Sequence, residues 1–265
     1  MDSINLIGSG GVSVAGPERS PQAADAQHGP RGAGTGSLTA QLCQFVYRTW
    51  LLRRERFLAM PRNMFYSRLL CAEDMRLGAR SRIRGIGSLQ IGQAFRALDY
   101  LWLDAIERDR NGNRYKPVLV IGNNVVVGYF VHIAATNCVR IGNDVLMGSR
   151  VIVTDHNHGI YKGDAQSSPL ERPAGRLLTS DAETVVEDNV WIGDGVVLLP
   201  GSYVGKGSII GANSVVSGVI PEYCMAAGIP ARPIRMYDGH SKSWLPVVKG
   251  HSGQGCDLAK AKETS

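Results

Sequence analysis

The sequence predicts a mainly β protein, a stack of short-stranded coils with one long loop leaving its wall. Three observations predict it. Aliphatic residues recur at every sixth position, at Val186, Ile192, Leu198, Val204, Ile210 and Val216. Glycine follows directly at Gly193, Gly205 and Gly211, in a chain of 265 residues that holds 32 glycines. The pattern then breaks over residues 155–183 and resumes near Val185.

A period of six fits neither the 3.6 of a helix nor a simple hairpin array. It is even, so side chains at i, i+2 and i+4 keep a fixed relation to one face. The aliphatic residue fills the interior, and the glycine after it supplies turn conformations that a Cβ would hinder. A small or β-branched residue follows four positions on, at Val190, Val196, Ser202, Ser208 and Ser214. The first half has the same grammar in Ile121-Gly122, Val127-Gly128, Ile141-Gly142 and Met147-Gly148, with a two-residue slip between the frames at Val139 and Ile141. Ile91-Gly92 marks an earlier, degenerate coil, preceded by Ile83 and Ile86-Gly87. Stacked coils of this kind bury one long core through nearest-neighbour contacts.

The remaining elements follow in chain order. Residues 1–37 are rich in Gly, Ala, Ser, Pro and Gln and too poor in large apolar groups to offset chain entropy, so they are expected to be disordered. Residues 38–82 form an Arg-rich segment whose first part, 38–60, reads as a helix stopped by Pro61. Residues 83–237 form the repeat domain. Its interruption, 155–184, reads as a protruding loop, since a long irregular insertion in a regular solid is more often functional than accidental. Residues 238–265 read as a flexible tail, with Trp244-Leu245-Pro246 able to dock back.

The formal charge is +6, with 29 basic and 23 acidic residues. Arg48, Arg53, Arg54, Arg56, Arg62, Arg68, Arg76, Arg80, Arg82 and Arg84 face only Glu55, Glu73 and Asp74 over that stretch. Such a segment is either a solvated surface or a contact with anionic lipid head groups. A nucleic-acid partner is not expected. The five cysteines, Cys43, Cys71, Cys138, Cys224 and Cys256, are odd in number and show no C-x-x-C spacing, which argues against a disulfide framework and a thiolate metal site. No secretory signal and no membrane-spanning apolar run is evident, so a cytoplasmic location, at most peripheral to the inner membrane, is expected.

The hexads, the loop opening Thr154-Asp155-His156-Asn157-His158-Gly159, the segment Asn189-Val190-Trp191-Ile192-Gly193 and the ending Gly228-Ile229-Pro230-Ala231-Arg232 resemble the hexapeptide-repeat acyltransferases. The branch they resemble most is the bacterial O-acetyltransferases of lipopolysaccharide, capsule and exopolysaccharide assembly. The resemblance covers about residues 83–237. It implies a left-handed parallel β-helix with three hexads per triangular coil, a homotrimer with active sites between subunits, acetyl-CoA as donor, and a sugar or glycan hydroxyl as acceptor. It places the general base at His156. Trp191 and Ala212 would line the pantetheine path with Ser217 near it, and Arg232 and Arg235 would meet the phosphates. Relatives often carry Ser at the position of Asp194 and Thr-Lys at Ser217-Gly218; the missing lysine weakens nucleotide binding or shifts it to Lys206.

The chemistry needs a base that is neutral near pH 7 and within reach of the acceptor hydroxyl, which suits histidine. His158, two residues on, is a rival or assistant on the same face of an extended chain. His132, about one coil earlier, either lines the cleft or is structural. Asp155 should point away from His156 and cap the loop. Two other functions fit parts of the pattern. A γ-type carbonic anhydrase would use His132, His156 and His158 as zinc ligands, although its spacing and acidic partners are absent and no metal is expected. A non-catalytic β-helix scaffold would have no use for His156.

Overall fold

The computed structural model describes residues 38–247, and the expectations for 1–37 and 248–265 lie outside them. The chain divides into two units, Met1–Trp50 and Leu51–Ser265. The second contains a parallel β-helix with three walls. The first wall stacks Arg82–Arg84, Trp102–Ala105, His132–Ala135, Ile152–Thr154, Val197–Leu198 and Val215–Val216. The second stacks Leu89–Ile91, Val118–Ile121, Cys138–Ile141, Thr184–Val186, Tyr203–Val204 and Val219–Ile220. The third runs from Arg96–Ala97 through Val126–Val127, Leu146–Met147, Trp191–Ile192 and Ile209–Ile210 to Cys224–Gly228. Pairing along each of these runs is parallel, as in Ile121 beside Ile141 and Ile141 beside Val186.

The six-residue period has a direct packing cause. Val186, Ile192, Leu198, Val204, Ile210 and Val216 are all buried, and they stack in register as Val186 beside Val204, Ile192 beside Ile210 and Leu198 beside Val216. The second interior position is buried too, at Val190, Val196, Ser202, Ser208 and Ser214. Burying a hydroxyl is costly unless it is bonded. Ser202 Oγ donates to Val216 O at 2.8 Å, Ser208 Oγ donates to Pro221 O at 2.7 Å, and Ser214 Oγ accepts from Gly228 N at 3.0 Å.

The glycines act differently from the expectation. A Cβ on Gly142 would lie 2.7 Å from Glu187 C, and one on Gly193 would lie 2.7 Å from Ala212 N. These glycines let neighbouring coils approach. The left-handed turn conformation sits two residues later, mostly on Asn, Asp or Gly, as at Asn124, Asp144, Asn189, Gly195, Gly201, Gly207 and Asn213, but also at Ala94, Phe130 and Arg150, with φ between 56 and 78°. Asn, Asp and Gly tolerate that region best.

Passages from the second wall to the third, and from the third to the first, keep strict six-residue spacing. Ile141, Met147 and Val153 are one such run, and Val204, Ile210 and Val216 another. Every irregularity falls on the passage from the first wall to the second. It is eight residues from Ile133 to Ile141, six from Leu198 to Val204 and four from Val216 to Ile220. The expected slip near Val139 is therefore a property of one edge. Two loops leave from this edge: the expected one, between Thr154 and Thr184, and an unexpected one over residues 106–117.

Three boundaries differ from the sequence reading. The helix spans Leu38–Leu69 and continues through Pro61. Arg62 donates to Leu77 O, Asn63 Oδ1 accepts from Leu77 N at 3.2 Å, and Tyr66 and Leu70 pack on the core, so tertiary contacts outweigh the proline. The stack begins before residue 83, with Ala72, Met75 and Leu77 buried and Arg76 bridged to Arg96. At the other end, Ser243–Pro246 pairs antiparallel with Ala231–Asp238, which extends the third wall into the segment expected to be a tail. Backbone bonding outweighs the polar composition there.

Candidate active site

The site grows from the corner where the first wall meets the second. In the third coil that corner is only Thr136-Asn137, between His132–Ala135 and Cys138–Ile141. Its two backbone N–H groups point toward the next coil. There Asp155, fully buried, accepts from Thr136 N at 2.9 Å and from Asn137 N at 2.8 Å. The same carboxylate lies 2.9 Å from His156 Nδ1. Asp155 thus does not point away from His156; it caps the corner and holds the imidazole together. The cause is the turn at the loop's neck, which ends the extended geometry after Thr154.

Burial alone would raise the Asp155 pKa. The bonds from His156, Thr136 N–H and Asn137 N–H outweigh it and hold the carboxyl below its ordinary 3.8. An ionised carboxylate only accepts, so Nδ1 carries a hydrogen toward it, and in the neutral imidazole the lone pair is then on Nε2. Thr154 Oγ1 adds a contact to Nδ1 at 3.1 Å. No described residue bonds Nε2. The side chain of His156 is 11% exposed, sheltered yet reachable. Thr184 closes the loop's neck by donating from Oγ1 to Thr154 O at 3.0 Å.

His158 lies elsewhere. It pairs with Leu178 in a two-stranded ladder within the loop and is exposed. His132 faces outward on the first wall, between Trp102 and Ile152 in register. It stacks on Trp102 with ring centroids 4.2 Å apart. Burial lowers its pKa below 6.5; Asp104 opposes this, while His156 and Arg84 add to it. His132 and His156 are therefore electrostatic neighbours. Asp104, itself buried, pairs with Arg84, whose Nε donates at 3.0 Å. Trp102 Nε1 is buried with no partner among the described residues.

The loop over residues 106–117 braces the protruding loop. Leu178 N donates to Tyr115 Oη at 3.1 Å, Tyr115 donates to Asp109 at 2.9 Å, and Asn111 Nδ2 donates to Ala174 O at 3.1 Å. This brace was missed in the sequence. The twelve-residue gap in the hexad frame after Ala105 was its available signal.

The expected donor residues fall mostly on another face. Trp191 projects from the third wall between Leu146 and Ile209 and is 52% exposed. Ala212 is exposed at the passage from third wall to first, and Arg232 and Arg235 are exposed on the strand that extends the third wall. Ser217 is exposed at the edge that carries the loops. Asp194, where relatives often have Ser, accepts from Ser149 N at 2.5 Å and ties two coils together. Lys206 is exposed in the turn from second wall to third. Among the described residues no group of three or more His, Cys, Asp and Glu could hold a metal ion, so His132, His156 and His158 do not form a zinc set.

A hexapeptide β-helix that carries a carboxylate-held histidine at the neck of a protruding loop defines a class of protein, the β-helix acetyltransferases. The family model described as bacterial transferase hexapeptide (six repeats) matches residues 183–218. WbbJ of Escherichia coli (strain K12), named as a lipopolysaccharide biosynthesis O-acetyl transferase, is 39% identical over 189 residues, 71% of this chain and 92% of that protein. The chain belongs to the hexapeptide-repeat acetyltransferase family, whose fold is the left-handed parallel β-helix. The galactoside O-acetyltransferase of Escherichia coli (strain K12) is 31% identical over 47% of this chain and 57% of its own length. Among solved structures, a D94A mutant of AntD, an N-acyltransferase from Bacillus cereus in complex with dTDP and coenzyme A, shares the fold at a TM-score of 0.51 and 18% identity, over 64% of this chain and 84% of that one.

Proposed function

We propose that this enzyme moves the acetyl group of acetyl-CoA to a hydroxyl of a sugar in a bacterial surface glycan, with His156 as general base. The observation that carries the reading is the Asp155–His156 contact, which leaves Nε2 of a sheltered imidazole free to take a proton. In this reading Nε2 removes the hydroxyl proton as the sugar oxygen attacks the thioester carbonyl carbon. The C–S bond then breaks, and the imidazolium returns its proton to the departing CoA sulfur. No covalent enzyme intermediate is needed, and burial pushes the Cys224 thiol up to about 11, far from a ready nucleophile. His132, kept neutral and flat against Trp102, supplies a second hydrogen-bonding group for the acceptor or the oxyanion. The orphaned Trp102 Nε1 beside it suits a ligand oxygen.

The separation of His156 from Trp191, Arg232 and Arg235 supports a site completed by a second subunit of a homotrimer. Trp191 and Ala212 line the pantetheine arm, Ser217 lies beside it, and the two arginines meet the phosphates. The lipopolysaccharide setting follows from the likeness to WbbJ, and the cytoplasm from the need for acetyl-CoA. Thiol release from acetyl-CoA in the presence of candidate glycans tests the reading. His156→Ala should lower kcat by about 10²–10⁴-fold. Activity that survives His156→Ala and His158→Ala together would remove the mechanism. Mass spectrometry of the cell-surface glycan, with and without the gene, should show a lost acetyl mass.

A further inference from the structure

We infer that the outer face of the helix Leu38–Leu69, where it closes the N-terminal end of the stack, is a docking surface for an anionic phospholipid bilayer. Within Leu51–Ser265 the last turns of the helix are pinned on one side only. Arg62 and Asn63 bond Leu77, while Tyr66 and Leu70 pack on the core. The opposite side then carries Met60, Met64, Phe65 and Leu69, which are 57, 54, 60 and 45% exposed. Met60 and Met64 are one turn apart, as are Phe65 and Leu69, so the exposed half of the helix carries two apolar pairs with Arg68 between them. Four large apolar side chains exposed together over three turns of one helix mark an interaction site.

Charge selects the occupant. The helix sequence carries Arg48, Arg53, Arg54, Arg56, Arg62 and Arg68 against Glu55 alone. Arg68 is exposed between the two apolar pairs. Apolar side chains with an excess of cations on one helix fit the boundary between acyl chains and anionic head groups. A second copy of the chain paired along this helix would bring two Arg-rich segments together, which is repulsive. Among the described residues no helix is long and apolar enough to cross a membrane, so the contact is with the surface. The inference is independent of acetyl transfer, since no residue of the proposed catalytic site takes part.

The test is co-sedimentation of the full-length protein with phosphatidylcholine vesicles and with vesicles that also contain phosphatidylglycerol. Binding is expected only with phosphatidylglycerol and should weaken as salt rises. Met64→Glu/Phe65→Glu and, separately, Arg53→Glu/Arg54→Glu/Arg56→Glu should each cut the bound fraction by about ten-fold or more. Thiol release with a soluble acceptor should be unchanged in both. Absence of binding to phosphatidylglycerol vesicles at low salt would overturn the inference, as would undiminished binding by either variant. A changed oligomeric mass in the Met64→Glu/Phe65→Glu protein would assign the face to a protein partner instead.

Discussion

Asp155 joins two tasks that a single carboxylate can perform only because of where it is buried. It satisfies the N–H groups of Thr136 and Asn137, and it fixes the tautomer of His156. Asp155→Ala should leave both corner amides without an acceptor and cost about 1–3 kcal/mol in urea unfolding. Asp155→Asn keeps an acceptor for one amide but loses the ionised partner of Nδ1. It should reduce kcat more than KM, the mark of a positioning residue. The low Asp155 pKa also sets a pH dependence. Its folded value lies below 3.8, so its stabilisation is present above about 3.8 and is lost as pH falls further. His132 behaves differently. Its folded value lies below 6.5, so the unfolded chain binds more protons in the window just under 6.5. Stability should therefore fall as pH drops through that window, and His132→Gln should flatten the slope in thermal melts at stepped pH. The place of His156 at the neck of the loop was legible from the loop-opening motif. Its link to Asp155 was not, because an extended chain alternates its side chains and only the fold shows the turn at the neck.

Within each coil, two separate positions share the work that the sequence reading gave to one. Gly142 and Gly193 clear space for the coil above, whereas the residue two places later carries the left-handed turn. Asn189 has φ of 57°, so Asn189→Ala should cost about 1–2 kcal/mol, and Asn189→Gly should be tolerated. Gly142→Ala should destabilise through backbone contact instead, by about 1–3 kcal/mol, and no choice of rotamer relieves it. Denaturant midpoints of the three variants separate the two causes. The hexad grammar was readable because burial repeats with the chain. The helix end was misread because Pro61 is a local signal, while the bonds from Arg62 and Asn63 to Leu77 are not local.

Across the β-helix, Trp191, Arg232 and Arg235 lie on a different face from the proposed base. If neighbouring subunits complete each site, mixtures of two inactive proteins should recover activity. His156→Ala refolded together with Trp191→Ala/Arg232→Ala is expected to regain a measurable fraction of thiol release, while either protein refolded alone stays inactive. No recovery after verified subunit exchange would place each site within one chain. The stack and the position of its main interruption were evident from periodicity. The bracing loop over residues 106–117 was not, because one wall-to-wall passage absorbs every departure from six, and the frame before it is degenerate.

That concentration of irregularity has a consequence for how such enzymes diversify. Two edges of the prism are held to fixed spacing, so length changes there would misalign every later coil. The third edge tolerates long excursions and short cuts without disturbing the layers above or below. If the loop at this seam touches the acceptor, as the proposed base at its neck implies, exchanging residues 155–183 with those of a relative should change which glycan supports thiol release, while the scaffold folds as before.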